Sequence, residues 1–129
     1  MRTDVLLRFL RLLLLSSFVP ALLLACNREA GPPPPLAADQ IASEFAKVFK
    51  DAKPEVKELA DQVLKALEAK DYPTAHQAVQ NLAGAPAATK DQQMLATRAF
   101  ITITGLLQTA QAQGDQNAAT ALKVYKGSK

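Results

Sequence analysis

Residues 89–114 read TKDQQMLATRAFITITGLLQTAQAQG, and this stretch decides the fold. Seven apolar residues recur at the spacing of one helix face: Ala96, Ala99, Phe100, Ile103, Leu106, Leu107 and Ala110. Thr89 and Gln92 have the spacing of a capping box, in which each side chain accepts a hydrogen bond from the other residue's backbone amide. Gly114 is the residue type that often follows a helix end. The stretch therefore predicts one long helix from Thr89 to about Gln113.

The segment from Phe100 to Thr104 conflicts locally with that prediction. It is β-branched and alternating, so by itself it would predict a strand. A single short strand has no pairing partner here, and the flanking residues favour helix. Gly105 in mid-helix costs about 1 kcal/mol relative to Ala. We expect a close helix crossing at Gly105 to offset that cost.

Four further helices are predicted on both sides of this stretch. They run from about Ala38 to Asp51, from Pro54 to Lys70, from Pro73 to the stop at Gly84, and from Gln116 to Lys126 with Asp115 as N-cap. Their apolar residues also follow the helical period. Because the connections are short, consecutive helices should be antiparallel neighbours. The predicted fold class is all-α, a small antiparallel bundle of about five helices over residues 38–129.

Composition narrows the possible functions. The 129-residue chain is 49% hydrophobic and carries 15 basic and 12 acidic residues. Without the first 25 residues, which hold Arg2, Arg8, Arg11 and Asp4, 12 basic and 11 acidic residues remain, a net charge of about +1. A nucleic-acid partner requires a basic stripe on the folded domain, so we expect none.

Residues that could support catalysis or metal binding are few. One Cys and one His cannot supply the three or four ligands of a zinc site. His76, the one histidine, is expected at the surface beside the apolar stripe of its helix. No Gly-rich loop of the phosphate-binding kind is present. We therefore predict no enzyme activity, no catalytic residue, no metal site and no cofactor.

The first 26 residues have the organisation of a secretory signal. Arg2, Arg8 and Arg11 form a positive region, followed by the largely apolar run Leu12–Leu24. The run is shorter than the roughly 20 residues that a helix needs to cross a bilayer. Its length is typical of the apolar region of a signal peptide.

The end of this segment, Leu23-Leu24-Ala25-Cys26, resembles the lipobox of bacterial lipoproteins. That resemblance implies cleavage by signal peptidase II between Ala25 and Cys26, with diacylglycerol on the Cys26 sulfur and acylation of the new amino group. Two or three acyl chains give stable membrane anchoring, whereas one does not. The alternatives are cleavage elsewhere with Cys26 as a free thiol, or an uncleaved N-terminal anchor. Asn27 is not the Asp that retains such lipoproteins in the inner membrane, so the resemblance favours an outer membrane facing the periplasm.

The residues after Cys26 predict a tether. Asn27–Ala38 reads NREAGPPPPLAA, and Pro32–Pro35 cannot be helical because each ring removes an amide donor and restricts φ. Such a run adopts polyproline II and acts as a semi-rigid spacer. The domain organisation is thus a signal peptide over 1–25, a lipidated Cys and tether over 26–37, and a helical domain over 38–129.

Residues 66–86, ALEAKDYPTAHQAVQNLAGAP, resemble the inner turn of a tetratricopeptide repeat. The matching residues are Asp71, Tyr72, Ala75 and Pro86, and a second copy is suggested by Gly114, Asp115 and Ala119. Lys70 stands where that family prefers Gly, and the two turns lie 44 residues apart, whereas the family repeats at about 34. The resemblance covers about residues 54–126 and implies a protein-binding surface. An ordinary antiparallel bundle is the alternative.

These features together predict a lipid-anchored envelope protein whose helical domain is a protein-interaction or scaffold module. Its partners would be the membrane, through the acyl chains on Cys26, and an envelope protein. The alternative is a small carrier or sensor that holds an apolar ligand between helices, which would require a cavity of several hundred Å³.

Overall fold

The computed structural model describes residues 31–129, of which residues 33–129 form one compact unit. One turn of 3₁₀ helix, Ala38–Gln40, leads into five α-helices. They are α1 (Ile41–Val48), α2 (Pro54–Glu68), α3 (Tyr72–Ala83), α4 (Lys90–Ala112) and α5 (Gln116–Gly127). Helix accounts for 74% of the described residues, and none of them is in a strand. The predicted all-α class is confirmed.

The long predicted helix is present as α4, with both hydrogen bonds of its capping box. The Gln92 amide donates to Thr89 Oγ1 at 3.2 Å, and the Thr89 amide donates to Gln92 Oε1 at 2.9 Å. The β-branched segment Phe100–Thr104 is helical as well, because Ile103 is fully buried there and Thr104 Oγ1 donates to the Phe100 carbonyl at 2.7 Å. Tertiary burial therefore outweighs the local strand preference.

Helix α4 lies at the centre of the bundle. It packs against α3, α5 and α1, while α3 packs on its other side against α2. The larger apolar cluster is formed by α1, α2, α3 and the part of α4 up to Ile103. The smaller one joins α5 to α4 through Leu107, Ala110, Ala118 and Leu122. The core is rich in alanine, which lets the helices approach closely.

The two helical hairpins, α2–α3 and α4–α5, turn in the same way. Lys70 has φ 55° and Gly114 has φ 95°, and each is followed by an Asp whose amide donates back into the preceding helix. Asp71 reaches the Ala66 carbonyl at 2.8 Å, and Asp115 reaches the Ala110 carbonyl at 3.0 Å. Both Asp side chains then cap the next helix. The same backbone turn thus recurs after 44 residues, and its left-handed position is occupied by Lys70 in the first turn and by Gly114 in the second.

Replacing Lys70 with Gly should stabilise the domain. A left-handed backbone costs a residue with a Cβ about 1 kcal/mol or more, and Gly removes that cost. We expect Lys70→Gly to raise the free energy of unfolding by about 1 kcal/mol, as measured by urea denaturation followed by circular dichroism.

The matched control is Gly114→Ala at the second turn. A Cβ there would meet no atom within 4 Å, so the change would act through the backbone alone. It should lower the free energy of unfolding by about 1 kcal/mol. Changes of the same sign in both variants would contradict the equivalence of the two turns.

The close helix crossing expected at Gly105 is absent. A Cβ added to Gly105 would meet no atom within 4 Å outside its own helix. The face of α4 at this position is only partly covered, because neighbouring helices pack on its other sides. Gly105 therefore keeps the low helix propensity of glycine, and no closer helix packing compensates for that cost.

Gly105→Ala should stabilise α4 because it adds a better helix former without a clash. The expected gain in the free energy of unfolding is about 1 kcal/mol. Thermal unfolding of the two proteins under identical conditions measures it. A lower melting temperature in the variant would show that the glycine has a role in packing.

Candidate functional site

The predicted lipid-attachment residue Cys26 and the predicted cleavage residue Ala25 lie outside the described residues. Within residues 31–129, no helix is both long and apolar enough to cross a bilayer. The same part of the chain contains no group of three or more His, Cys, Asp and Glu side chains placed to hold a metal ion. Among these residues, the histidine has the most unusual environment.

The prediction that His76 lies at the surface is wrong. Its side chain is only 4% exposed. Tyr72, His76 and Val79 follow at i, i+4 and i+7 on α3, so the histidine shares a face with the apolar stripe. Helices α4 and α5 cover that face. The sequence of α3 alone does not show which helices pack against it, so the burial of His76 could not be predicted from that segment.

His76 belongs to an aromatic cluster that joins three helices. Its ring centroid lies 4.9 Å from that of Phe100 on α4 and 5.0 Å from that of Tyr125 on α5. Phe100 and Tyr125 contact each other edge to face at 5.7 Å. Rings at these separations and tilts are in attractive geometry. We call these three residues the aromatic cluster.

The imidazole in this cluster lacks a polar partner. His76 Nε2 is buried and has no hydrogen-bond partner among the described residues. Burial lowers the pKa of His76 below its ordinary value of 6.5, because a charged imidazole loses its hydration there. The neutral form is therefore favoured in the folded domain.

Two open grooves flank the end of α5 and share Gln80, Tyr125 and Ser128 as lining residues. The first has a volume of about 340 Å³ and also contacts Thr97, Phe100 and Lys129. The second has a volume of about 390 Å³ and also contacts Pro73, His76 and Val124. Lys129 Nζ lies 4.6 Å from the centroid of the Tyr125 ring, which is cation–π distance. The grooves are therefore bordered by the aromatic cluster and the last turn of α5.

The chain segment Pro34–Leu36, which we call the strap, lies against α4. The Leu36 amide donates to the Arg98 carbonyl at 3.4 Å, and Arg98 Nε donates to the Pro34 carbonyl at 3.0 Å. Thr102 Oγ1 donates to the Leu36 carbonyl. Leu36 is 3% exposed and belongs to the larger apolar cluster. The folded domain thus includes Leu36, which lies two residues before the domain boundary predicted from the sequence at residue 38.

Leu36→Ala should destabilise the whole domain, because a buried leucine is truncated and its site cannot refill. The expected loss in the free energy of unfolding is about 2–5 kcal/mol. Met94, which is 53% exposed on α4, provides the control. Met94→Ala should change the same quantity by less than about 0.5 kcal/mol. Equal effects in the two variants would show that the strap is not part of the core.

Comparisons with protein-family models, with curated proteins and with solved structures found no match. We therefore draw the functional conclusions from the residues and the geometry of this chain.

Proposed function

We propose that this protein is a lipid-anchored envelope protein whose helical domain binds another envelope protein. The observation that carries the proposal is the sequence Leu23-Leu24-Ala25-Cys26 after a positive and then an apolar segment. In this proposal Cys26 becomes the first residue of the mature protein. Its acyl chains insert into the membrane, where each buried CH₂ contributes about 0.8 kcal/mol.

The strap limits how far the domain stands from the lipid. Pro34 is hydrogen-bonded to α4, so seven residues separate Cys26 from the folded domain. A chain of that length spans at most about 30 Å when fully extended. A partner would accordingly lie close to the membrane surface.

The face built from α3 and α4 supports a protein partner. Between residues 72 and 114 the charged side chains are Lys90, Asp91 and Arg98, and Arg98 is engaged with the strap. The exposed side chains of α3 are instead uncharged and polar, as with Gln77, Gln80 and Asn81. Depletion of charge is typical of the central part of protein interfaces. The repeated hairpin turn is consistent with a tetratricopeptide-like pair of hairpins presenting this face.

Lipidation is tested by growing cells with an alkyne analogue of palmitate and comparing wild type with Cys26→Ala. We expect label in the wild type and none in the variant. Mass analysis of the mature N-terminus should find diacylglycerol on Cys26. Equal labelling, or an unmodified thiol, would refute the anchor.

Partner binding is tested with a photo-crosslinking amino acid placed at either of two positions. Gln77 lies on the uncharged face of α3, and Glu58, which is also exposed, is a control on α2. We expect a discrete crosslinked product in living cells from position 77 and none from position 58. The same products at both positions, or none at either, would contradict a binding surface on α3.

A structural candidate for the apolar-carrier hypothesis is a groove of about 250 Å³ between α1 and α2 that contacts Phe45, Phe49 and Leu64. Native mass spectrometry of the purified protein tests this hypothesis. A retained small molecule that disappears in Leu64→Lys would favour the carrier over the interaction module.

A further inference from the structure

The part of α5 beyond Leu122 depends on a single aromatic side chain for its contact with the bundle. Up to that point, Ala118 and Leu122 anchor the helix in the smaller apolar cluster. Beyond Leu122, Lys123, Val124 and Lys126 are exposed, and Val124 is 68% exposed. Tyr125 is the residue that reaches inward, and it contacts His76 and Phe100.

The site that receives Tyr125 favours a neutral imidazole over a charged one. A protonated imidazole has two N–H donors, and Nε2 has no acceptor within reach. From α4 the ring faces Phe100, which has no charge. From α5 it faces the phenol of Tyr125, and the ammonium of Lys129 lies 4.6 Å from that same phenol ring. On α3 itself, Tyr72 lies one turn earlier. None of these groups supplies the negative charge that would stabilise an imidazolium.

We propose that His76 is a pH-sensitive latch: its protonation releases the part of α5 beyond Leu122 from α3 and α4. The proton comes from solvent, and the resulting imidazolium carries an N–H donor on both ring nitrogens, including the buried Nε2. Withdrawal of Tyr125 lets water reach that donor. Withdrawal uncovers the Phe100 ring and merges the two grooves that share Gln80, Tyr125 and Ser128. The latch depends on the folded domain and not on the lipid anchor.

The direction of the pH response follows from the depressed pKa of the buried imidazole. The open form binds a proton with the ordinary pKa of 6.5, and the closed form binds it more weakly. The closed form is therefore fully favoured above pH 6.5 and loses that advantage as the pH falls toward the lower pKa of the closed state. One linked proton changes the ratio of open to closed forms by at most about tenfold per pH unit.

Hydrogen exchange followed by mass spectrometry measures the opening in the full-length protein in detergent. The amides of residues 123–127 are compared with those of α2 in the same sample, which corrects for the pH dependence of the chemical exchange. Between pH 7.5 and pH 5, we expect protection of α5 to fall by up to about tenfold per pH unit below 6.5, and α5 to stay less protected than α2 throughout, because it opens without global unfolding.

Two variants separate the latch from general acid sensitivity. His76→Gln is polar but does not titrate, so its α5 protection should be independent of pH over this range. Tyr125→Ala should show weak α5 protection at both pH values, because the contact is missing. Loss of α5 protection with pH in His76→Gln, to the same extent as in the wild type, would overturn the proposal, as would constant protection in the wild type.

A direct titration remains decisive if a variant fails to fold. Because the chain has one histidine, protein without a histidine tag gives a single imidazole Hε1 resonance by nuclear magnetic resonance. We expect a midpoint below 6.5 in the wild type, accompanied by a change in the Tyr125 ring resonances. A midpoint at or above 6.5, or Tyr125 resonances that do not respond, would overturn the latch.

Discussion

Burial of helix α4 is the constraint on which the other elements depend. Its residues up to Ile103, including Leu95, belong to the larger apolar cluster, and Leu107, one turn later, belongs to the smaller one. Helices α1, α3 and α5 and the strap all contact it. Because an isolated helix is only marginally stable in water, α4 is stabilised mainly by these contacts, and the elements that contact it are stabilised in turn.

This central position links both ends of the described chain to one element. The strap is hydrogen-bonded to Arg98 and Thr102, and the aromatic cluster centres on Phe100. These three residues lie within about one turn of α4. The segment that would lead to a membrane anchor and the helix that would open in acid are therefore attached to neighbouring positions of the same helix.

Most of what could be predicted about the fold comes from short sequence signals at the helix ends. Pro54 opens a helix, Thr89 and Gln92 form a capping box, and Asp115 caps the last helix, as expected. These signals act within a single helical turn, so they can be recognised without knowing the neighbours. The candidate site was less predictable: the sequence placed His76 at the surface, and it gave no sign that Leu36 is buried. Both burials have one cause, because burial of a side chain depends on which other element covers it.

The sequence by itself determined the helices, their ends, their apolar faces and the resemblance of Leu23–Cys26 to a lipobox, because each depends on residues close together in the chain. Tertiary structure alone decided that Gly105 faces open space and that α5 closes over His76. These outcomes depend on which elements pack together, and therefore on contacts between residues far apart in the chain.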